Sequence, residues 1–323
     1  MSKILVLDTE TTGFANYPKE VSAYFKSLSA TAVKKEKEDP KYLKHKPNIL
    51  QLSYIVYDLD HPKRAKIYDK YILPEESLVS KIAPSAAKVH GITRESLMKK
   101  PKTMFTTIED AIDELKRDVE ECDVFVGHNI DFDIERIEEE IQRTKTVFSS
   151  TNRIYKELLD GINAKKYDTM KQTKSTCRIP GKKLGSIKDP KLSEAYEHFF
   201  DDEANEKALH NALVDIIVCL RVYVKHVHDR DICGENKEIT RWIEFLSSIP
   251  GYKCDKKSDS IGSDSIEKVL PVVLSPKTKG KSKSVWSCVG SLCVNPFTRR
   301  KKHKIVPMGG RKTMKRRCSL VKK

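Results

Sequence analysis

Lys3-Ile4-Leu5-Val6-Leu7-Asp8-Thr9-Glu10-Thr11-Thr12-Gly13 carries four apolar residues straight into two carboxylates, then hydroxyls, then a glycine. A short continuous apolar run reads as a strand buried on both faces. Side chains alternate along a strand, so Ile4, Val6, Asp8 and Glu10 share one face, with the two acids about 6.6 Å apart at their Cα atoms. Two carboxylates converging at the end of a buried strand are costly unless a cation sits between them. The pair is therefore a candidate site for a hard metal ion. The plainer reading is a strand that surfaces with two solvated acids.

The 323 residues around this strand have room for one large domain and an appendage. No run approaches the roughly 18 apolar residues of a membrane span, so no membrane partner is expected. An acid at position 8 ends the first apolar run too early for a signal peptide. The eight cysteines (Cys122, Cys177, Cys219, Cys233, Cys254, Cys288, Cys293, Cys318) form no CxxC pair. They are expected to be reduced thiols in an intracellular compartment, cytoplasm or nucleus, and not in a secreted protein. The net charge of +15 is uneven: residues 251–323 hold 20 Lys+Arg and 4 Asp+Glu, leaving 41 and 42 of the chain's 61 and 46 in 1–250. The last quarter carries the whole excess.

Further strands are expected at Ile49–Asp58, Tyr68–Leu73 (ended by Pro74), Asp123–Gly127 and Lys166–Met170. Residues 15–48 read as an insertion, a lid or surface excursion with a short helix near Val21–Phe25 and a charge run at Lys34–Asp39. Ile108, Ile112 and Leu115 mark one amphipathic helix. Ile134, Ile137 and Ile141 mark another, with Glu138, Glu139 and Glu140 as its solvated face. A lysine-rich loop follows, with seven basic residues between Lys171 and Lys191 against one acid, Asp189. Leu192–Phe200 is helical. Leu213, Ile216, Ile217, Leu220 and Val224 form one apolar stripe, and Ile239, Trp242, Ile243 and Leu246 a last one before Pro250-Gly251. These elements give an α/β domain over 1–250, with a mixed sheet flanked by helices, and a basic, disordered tail over 251–323.

Acids gather at the ends of core elements. In Gly127-His128-Asn129-Ile130-Asp131-Phe132-Asp133, Asp131 is placed as the N-cap of the next helix and Asp133 points back toward the strand end. In His210-Asn211-Ala212-Leu213-Val214-Asp215, Asn211 is a good N-cap, which leaves His210 in the preceding loop and lets it share a cleft with Asp215. Alone, His210 reads as an ordinary polar residue. Asp168-Thr169 reads first as a strand-end turn.

Taken in order, DTETTG, HNIDFD and H-x4-D resemble the DEDDh 3′–5′ exonucleases, with His90-Gly91-Ile92-Thr93 and Asp168-Thr169 as supporting landmarks. The resemblance covers about residues 3–228 and implies an RNase H-like fold with a five-stranded sheet. It implies four metal ligands, Asp8, Glu10, Asp133 and Asp215, holding two Mg²⁺ or Mn²⁺ ions, with Asp8 bridging. His210 is implied as general base, since a neutral imidazole can take the proton of an attacking water. Thr11, Thr12, Gly13, Phe14 and Asn129 are implied substrate contacts, with Phe14 a stacking surface. His90 is either a further contact or a turn-stabilising histidine. The sister group has a tyrosine four residues before the last aspartate, where this chain has Asn211. The implied activity is release of nucleoside 5′-monophosphates from nucleic acid 3′ ends, DNA favoured, in repair or proofreading; a polymerase or replication partner stays open.

The alternatives are an RNA or oligoribonucleotide exonuclease, which the motifs do not separate from a DNA enzyme, and a binding module that has lost catalysis. All five acid and histidine positions are filled, which weighs against the latter. A zinc site on Cys288, Cys293, His303 and Cys318 fails on ligand spacing. Arg299–Lys304 and Lys315–Arg317 are basic clusters of the kind that bind a phosphate backbone or serve as nuclear address signals. Gly309-Gly310-Arg311-Lys312 resembles tails on proteins of large DNA viruses.

Overall fold

A computed structural model describes residues 3–144, 152–205 and 208–254. The expectation of a disordered tail falls almost wholly outside them. The strand β1 (Lys3–Thr11) is the spine. On one side it pairs antiparallel with β2 (Ile49–Asp58), β2 pairs antiparallel with β3 (Lys66–Ile72), and β3 pairs parallel with β4 (Phe105–Thr106). On the other side β1 pairs parallel with β5 (Val124–Gly127), and β5 with β6 (Lys166–Asp168). The order is β4-β3-β2-β1-β5-β6. The mixed sheet is as expected, but it has six strands where five were expected. The addition, β4, is two residues long, too short for any periodicity to register.

The helices in chain order are α1 (Lys19–Ser27), α2 (Ala30–Lys37), α3 (Glu76–Val79), α4 (Pro84–His90), α5 (Arg94–Met98), α6 (Ile108–Val119) and α7 (Ile130–Thr144). They continue as α8 (Asn152–Lys165), α9 (Thr169–Gln172), α10 (Lys174–Cys177), α11 (Leu192–Phe200), α12 (Ala212–His228) and α13 (Lys237–Leu246). The alternation in β1 divides the core. Ile4 and Val6 pack under α12, against Ile216, Ile217 and Leu220. Leu5 and Leu7 pack on the opposite face, against Ile112 and Leu115 of α6 and Ile134 and Ile137 of α7. Each such side chain, fully buried, contributes about 1.5–3 kcal/mol. α12 is buried on nearly every side, Val214, Val218 and Val222 included, and not along one stripe only. Against α11 and the segments that follow α12 and α13 it buries Arg221, which meets Asp231 at 2.7 Å and Tyr252 at 3.0 Å and lies over the Phe200 ring.

Four local expectations are corrected. Lys166–Met170 is not all strand, because Asp168 accepts from the Met170 N–H and starts α9. Asp131 lies inside the first turn of α7, bound to Lys166 and Lys171, so it is not the cap. Glu139 and Glu140 are not solvated, with 1% and 4% exposure. The insertion folds back over them. Lys46 meets Glu139 at 3.1 Å, Glu140 accepts from the Ile49 N–H at 2.9 Å, and Arg143 donates to the carbonyls of Leu43, Lys46 and Pro47. Finally, Cys233 and Cys254 are joined as a disulfide, while Cys122, Cys177 and Cys219 are free and buried. The segment after α13 turns back to bring Cys254 beside the α12–α13 loop, a proximity that residue spacing does not reveal.

Residues 15–48 form α1, α2 and a 3-10 turn at Pro40–His45, gathered on an aromatic cluster of Tyr17, Phe25 and Tyr42. Their ends meet: the Asn16 N–H donates to His45 O, and the Thr12 N–H to Asn48 O. Among the described residues no helix is long and apolar enough to cross a membrane.

Candidate active site

β1 carries Asp8 and Glu10 on the α12 face, and α12 brings Asp215 to them. One oxygen from each of the three carboxylates lies within 4.8 Å of the others. Asp133 arrives from the other layer. β1 is paired with β5 only from Ile4 to Val6, so its far end overhangs β5. Asp133, on the first turn of α7, closes that open edge: its Oδ1 accepts from Thr9 N at 3.0 Å and Thr9 Oγ1 at 2.7 Å. The four sequence-derived acids thus meet where one strand end, one helix start and one buried helix converge.

Burial raises all four carboxylates above the usual range. Burial and the charges of Asp215 and Asp133 push Glu10 up to about 9. Asp8 is raised well above its ordinary value by burial and by Asp133, Asp215 and Glu10. Asp133 and Asp215 reach about 7, burial being opposed by the Thr9 hydrogen bonds in one and by the His210 N–H in the other. Among the described residues no lysine or arginine forms an ion pair with any of the four. Asp215 Oδ1 is buried with no hydrogen-bond partner among them. A divalent cation would supply the missing positive charge and the missing partner together. All-oxygen donors of this kind suit a hard divalent cation.

His210 is exposed, in a left-handed conformation at φ +64°, and its N–H donates to Asp215 Oδ2 at 3.2 Å. Asn211 caps α12 through Leu213 N, as expected, and its side chain bonds Tyr71 of β3. Glu10, Gln51 and Tyr71 are register partners across β1, β2 and β3, so this row of the sheet supports the loop that presents His210. Sequence reasoning missed Tyr71 and Thr9. Thr9 could have been suspected as the one polar residue between two acids on an overhanging strand; Tyr71 gives no signal before the register is known.

The remaining candidates divide by accessibility. Phe14 is 86% exposed just beyond the acid cluster. Gly13 has φ +139°, and a Cβ there would meet Ala83 Cβ at 3.0 Å, so the turn and the close approach of α4 both require glycine. Thr11 and Thr12 are buried and serve the turn: Thr11 Oγ1 donates to Gly13 O, and Thr12 Oγ1 accepts from Asn48 N. His90 has both ring nitrogens engaged. Nδ1 accepts from Ile92 N, which leaves Nε2–H to donate to Thr11 O, and burial lowers its pKa. The ring is held as a brace on the end of β1. Asn129 is exposed at φ +70°, with its N–H bound by Asp168 Oδ1 at 2.9 Å. Asp168 therefore fixes the turn from which α7 presents Asp133.

The family model for RNase T-type exonucleases matches residues 5–223. No curated protein matches the chain in sequence. Among solved structures, exonuclease I from Methylocaldum szegediense is 14% identical, with a TM-score of 0.43 over 71% of this chain and 42% of its own. E. coli exonuclease I in complex with a dT13 oligonucleotide is 15% identical, with a TM-score of 0.41 over 71% and 42%. Exonuclease X in complex with 5′ overhanging duplex DNA is 16% identical, with a TM-score of 0.37 over 73% and 99%. The chain spans about two fifths of the length of the exonuclease I proteins.

Proposed function

The chain belongs to the RNase T exonuclease family, and from that premise we propose that it is a divalent-metal-dependent 3′–5′ exonuclease releasing nucleoside 5′-monophosphates from nucleic acid 3′ ends. The observation that carries this reading is the convergence of Asp8, Glu10 and Asp215 oxygens within 4.8 Å, beside Asp133 and with no lysine or arginine ion-paired to any of the four among the described residues. A structural acid cluster has no use for that unpaired charge; a phosphoryl-transfer site does.

Asp8, Glu10, Asp133 and Asp215 would hold two Mg²⁺ or Mn²⁺ ions. Bound there, the ions would activate water and offset the charge that develops on the phosphoryl oxygens. His210, exposed at the mouth, takes the proton of the attacking water through its imidazole, while its backbone N–H orients Asp215. Phe14 offers its ring to the terminal base, and Gly13 lets the backbone turn close beside it. The +16 charge over residues 251–323 supports a second, sequence-independent contribution from the tail to backbone affinity. Any truncation that tests the tail belongs after Cys254, because Tyr252 and Cys254 are tied into the folded unit.

The decisive experiment incubates purified protein with 5′-labelled single-stranded DNA, duplex DNA and RNA, each with Mn²⁺ or EDTA. A ladder shortening from the 3′ end, with mononucleotide product and only with metal, is expected. DNA is the polymer expected from the sequence, with RNA as the alternative. Internal cleavage, or no cleavage of any polymer in Mn²⁺, would overturn the proposal.

A further inference from the structure

The lysine-rich loop is a built element. Between α10 and α11, Lys188 N donates to Ile179 O at 2.9 Å and Gly181 N to Ser186 O at 2.8 Å, with Pro180 and Ile187 bridged as in an antiparallel pair. Residues 178–188 are therefore a short hairpin. Its tip, Lys182-Lys183-Leu184-Gly185, is closed by Ser186, whose N–H and Oγ–H both point to Lys183 O. Gly185 sits at φ +74°, which favours glycine, and a Cβ on Gly181 would lie 2.5 Å from Ser186 Oγ and displace its bond to Lys183 O.

The hairpin's base is fixed to the sheet. His128, at the end of β5, contacts Thr169 Oγ1 through Nδ1 and Pro190 O through Nε2, each at 3.0 Å. Lys174 pairs with Asp189 at 2.9 Å, and Lys188 with Glu194. The root of the hairpin thus stands at the carboxyl ends of β5 and β6, the same rim of the parallel strands from which α7 presents Asp133. Two features of the tip point to a ligand. Between Arg178 and Lys188 there is no acid, and among the described residues Arg178, Lys182 and Lys183 form no ion pair. Leu184, between these cations and Gly185, is fully exposed. Cations and an apolar side chain adjacent at the apex of a constrained turn offer a phosphate contact and an apolar contact together.

We propose that this hairpin is a contact for the polynucleotide away from its reacting end, with Arg178, Lys182 and Lys183 on the phosphate backbone and Leu184 against a base or sugar. The proposal rests on the exonuclease reading for the identity of the polyanion. It adds a grip that a dinucleotide is too short to use.

The test uses the full chain and its Lys182→Ala/Lys183→Ala and Leu184→Ala variants. Anisotropy of a labelled oligonucleotide of about 30 residues is followed in EDTA from 50 to 200 mM salt, beside dinucleotide turnover in Mn²⁺. The double variant is expected to flatten the salt slope by about 1.4–1.8, the share of two phosphate contacts, and to weaken binding about tenfold at the lowest salt. Leu184→Ala is expected to weaken binding about threefold or more with an unchanged slope, and dinucleotide turnover to stay at the wild-type value in both. An unchanged slope in the double variant, or an equal loss on the dinucleotide, would overturn the proposal. If the wild type cleaves nothing in Mn²⁺, the exonuclease reading fails, and the binding slopes in EDTA still decide the hairpin.

Discussion

One oxygen of Asp133 receives two hydrogen bonds from Thr9, from the backbone N–H and from the hydroxyl. Thr9 lies between Asp8 and Glu10 on β1. The strand that carries two of the acids therefore also orients a third that comes from a different layer of the fold. Thr9→Val removes the hydroxyl and keeps the shape. Groups that hold a ligand in place typically contribute 10–100-fold in metal affinity or activity. The variant is expected to lose about tenfold in kcat and to need more Mn²⁺ for half-maximal rate, with an unchanged melting temperature. Wild-type metal dependence in Thr9→Val would show that this bond does not orient the site.

Asp8→Ala and Asp215→Asn are expected to abolish cleavage while leaving the fold and substrate binding intact. Each removes a half-buried like charge, so in EDTA at pH 8 each variant should melt higher than the wild type, by a few degrees for about 1 kcal/mol. Turnover near the wild-type rate in either would falsify the site assignment.

The raised carboxylates also set how stability depends on pH. Each folded-state pKa lies above its unfolded value, so the folded chain holds more protons across the window between them, and stability falls as pH rises. The stability is fully present only below the unfolded values near 4 and is lost as pH rises through about 7 for Asp133 and Asp215 and through about 9 for Glu10. Differential scanning fluorimetry in EDTA should therefore show a melting temperature that declines from pH 5 to 9. Mn²⁺ should raise it more at pH 8 than at pH 5, because protons compete with the ion. A metal-induced shift independent of pH would contradict the assignment.

His210→Ala is expected to slow the chemical step by about 10²–10⁴ at saturating Mn²⁺. The wild-type rate should fall toward acid pH along a limb that the variant lacks. Asn and Gln at 210 should behave like Ala, since neither accepts a proton at neutral pH. Identical pH profiles for wild type and variant would remove His210 as the base.

Lys46 and Glu139 form an ion pair with both side chains almost completely buried. Lys46→Met strands the carboxylate beside Arg136 alone. Removing one of the two cations on a buried carboxylate is costly, so a drop in melting temperature is expected even with Arg136 still in place. Lys46→Met with Glu139→Leu should recover most of it. Equal destabilisation by the single and double variants would mean that packing, and not the pair, holds the insertion down.

The positions of Asp8, Glu10 and His210 were legible because they depend on spacing within single elements: alternation put Asp8 and Glu10 on one face, and a cap at Asn211 left His210 outside its helix. What lay between elements was not. Glu139 and Glu140 followed the rule for a solvated helix face and were buried by Lys46, Asn48 and Ile49, far earlier in the chain. Thr11 and Thr12 read as substrate contacts, yet their hydroxyls serve the turn between β1 and the insertion. The Cys233–Cys254 disulfide likewise depends on where the chain returns after α13. In each case the deciding neighbour is distant in sequence, and no local periodicity encodes it.

The insertion closes on itself before it touches anything else, through Asn16 with His45 and Thr12 with Asn48. A segment fastened at both ends behaves as a cassette. A single protease nick in the charged run at Lys34–Glu38 would leave both fragments anchored, one through β1 and the other through β2 and the Arg143 contacts. The nicked chain would run as two bands on a denaturing gel and as one species in native chromatography. Because the run closes α2 and both flanks are fastened independently, the register of β1 does not depend on it. Lys46 and the Tyr17, Phe25 and Tyr42 cluster hold the rest of the segment in place, so the strand that carries Asp8 and Glu10 keeps its position.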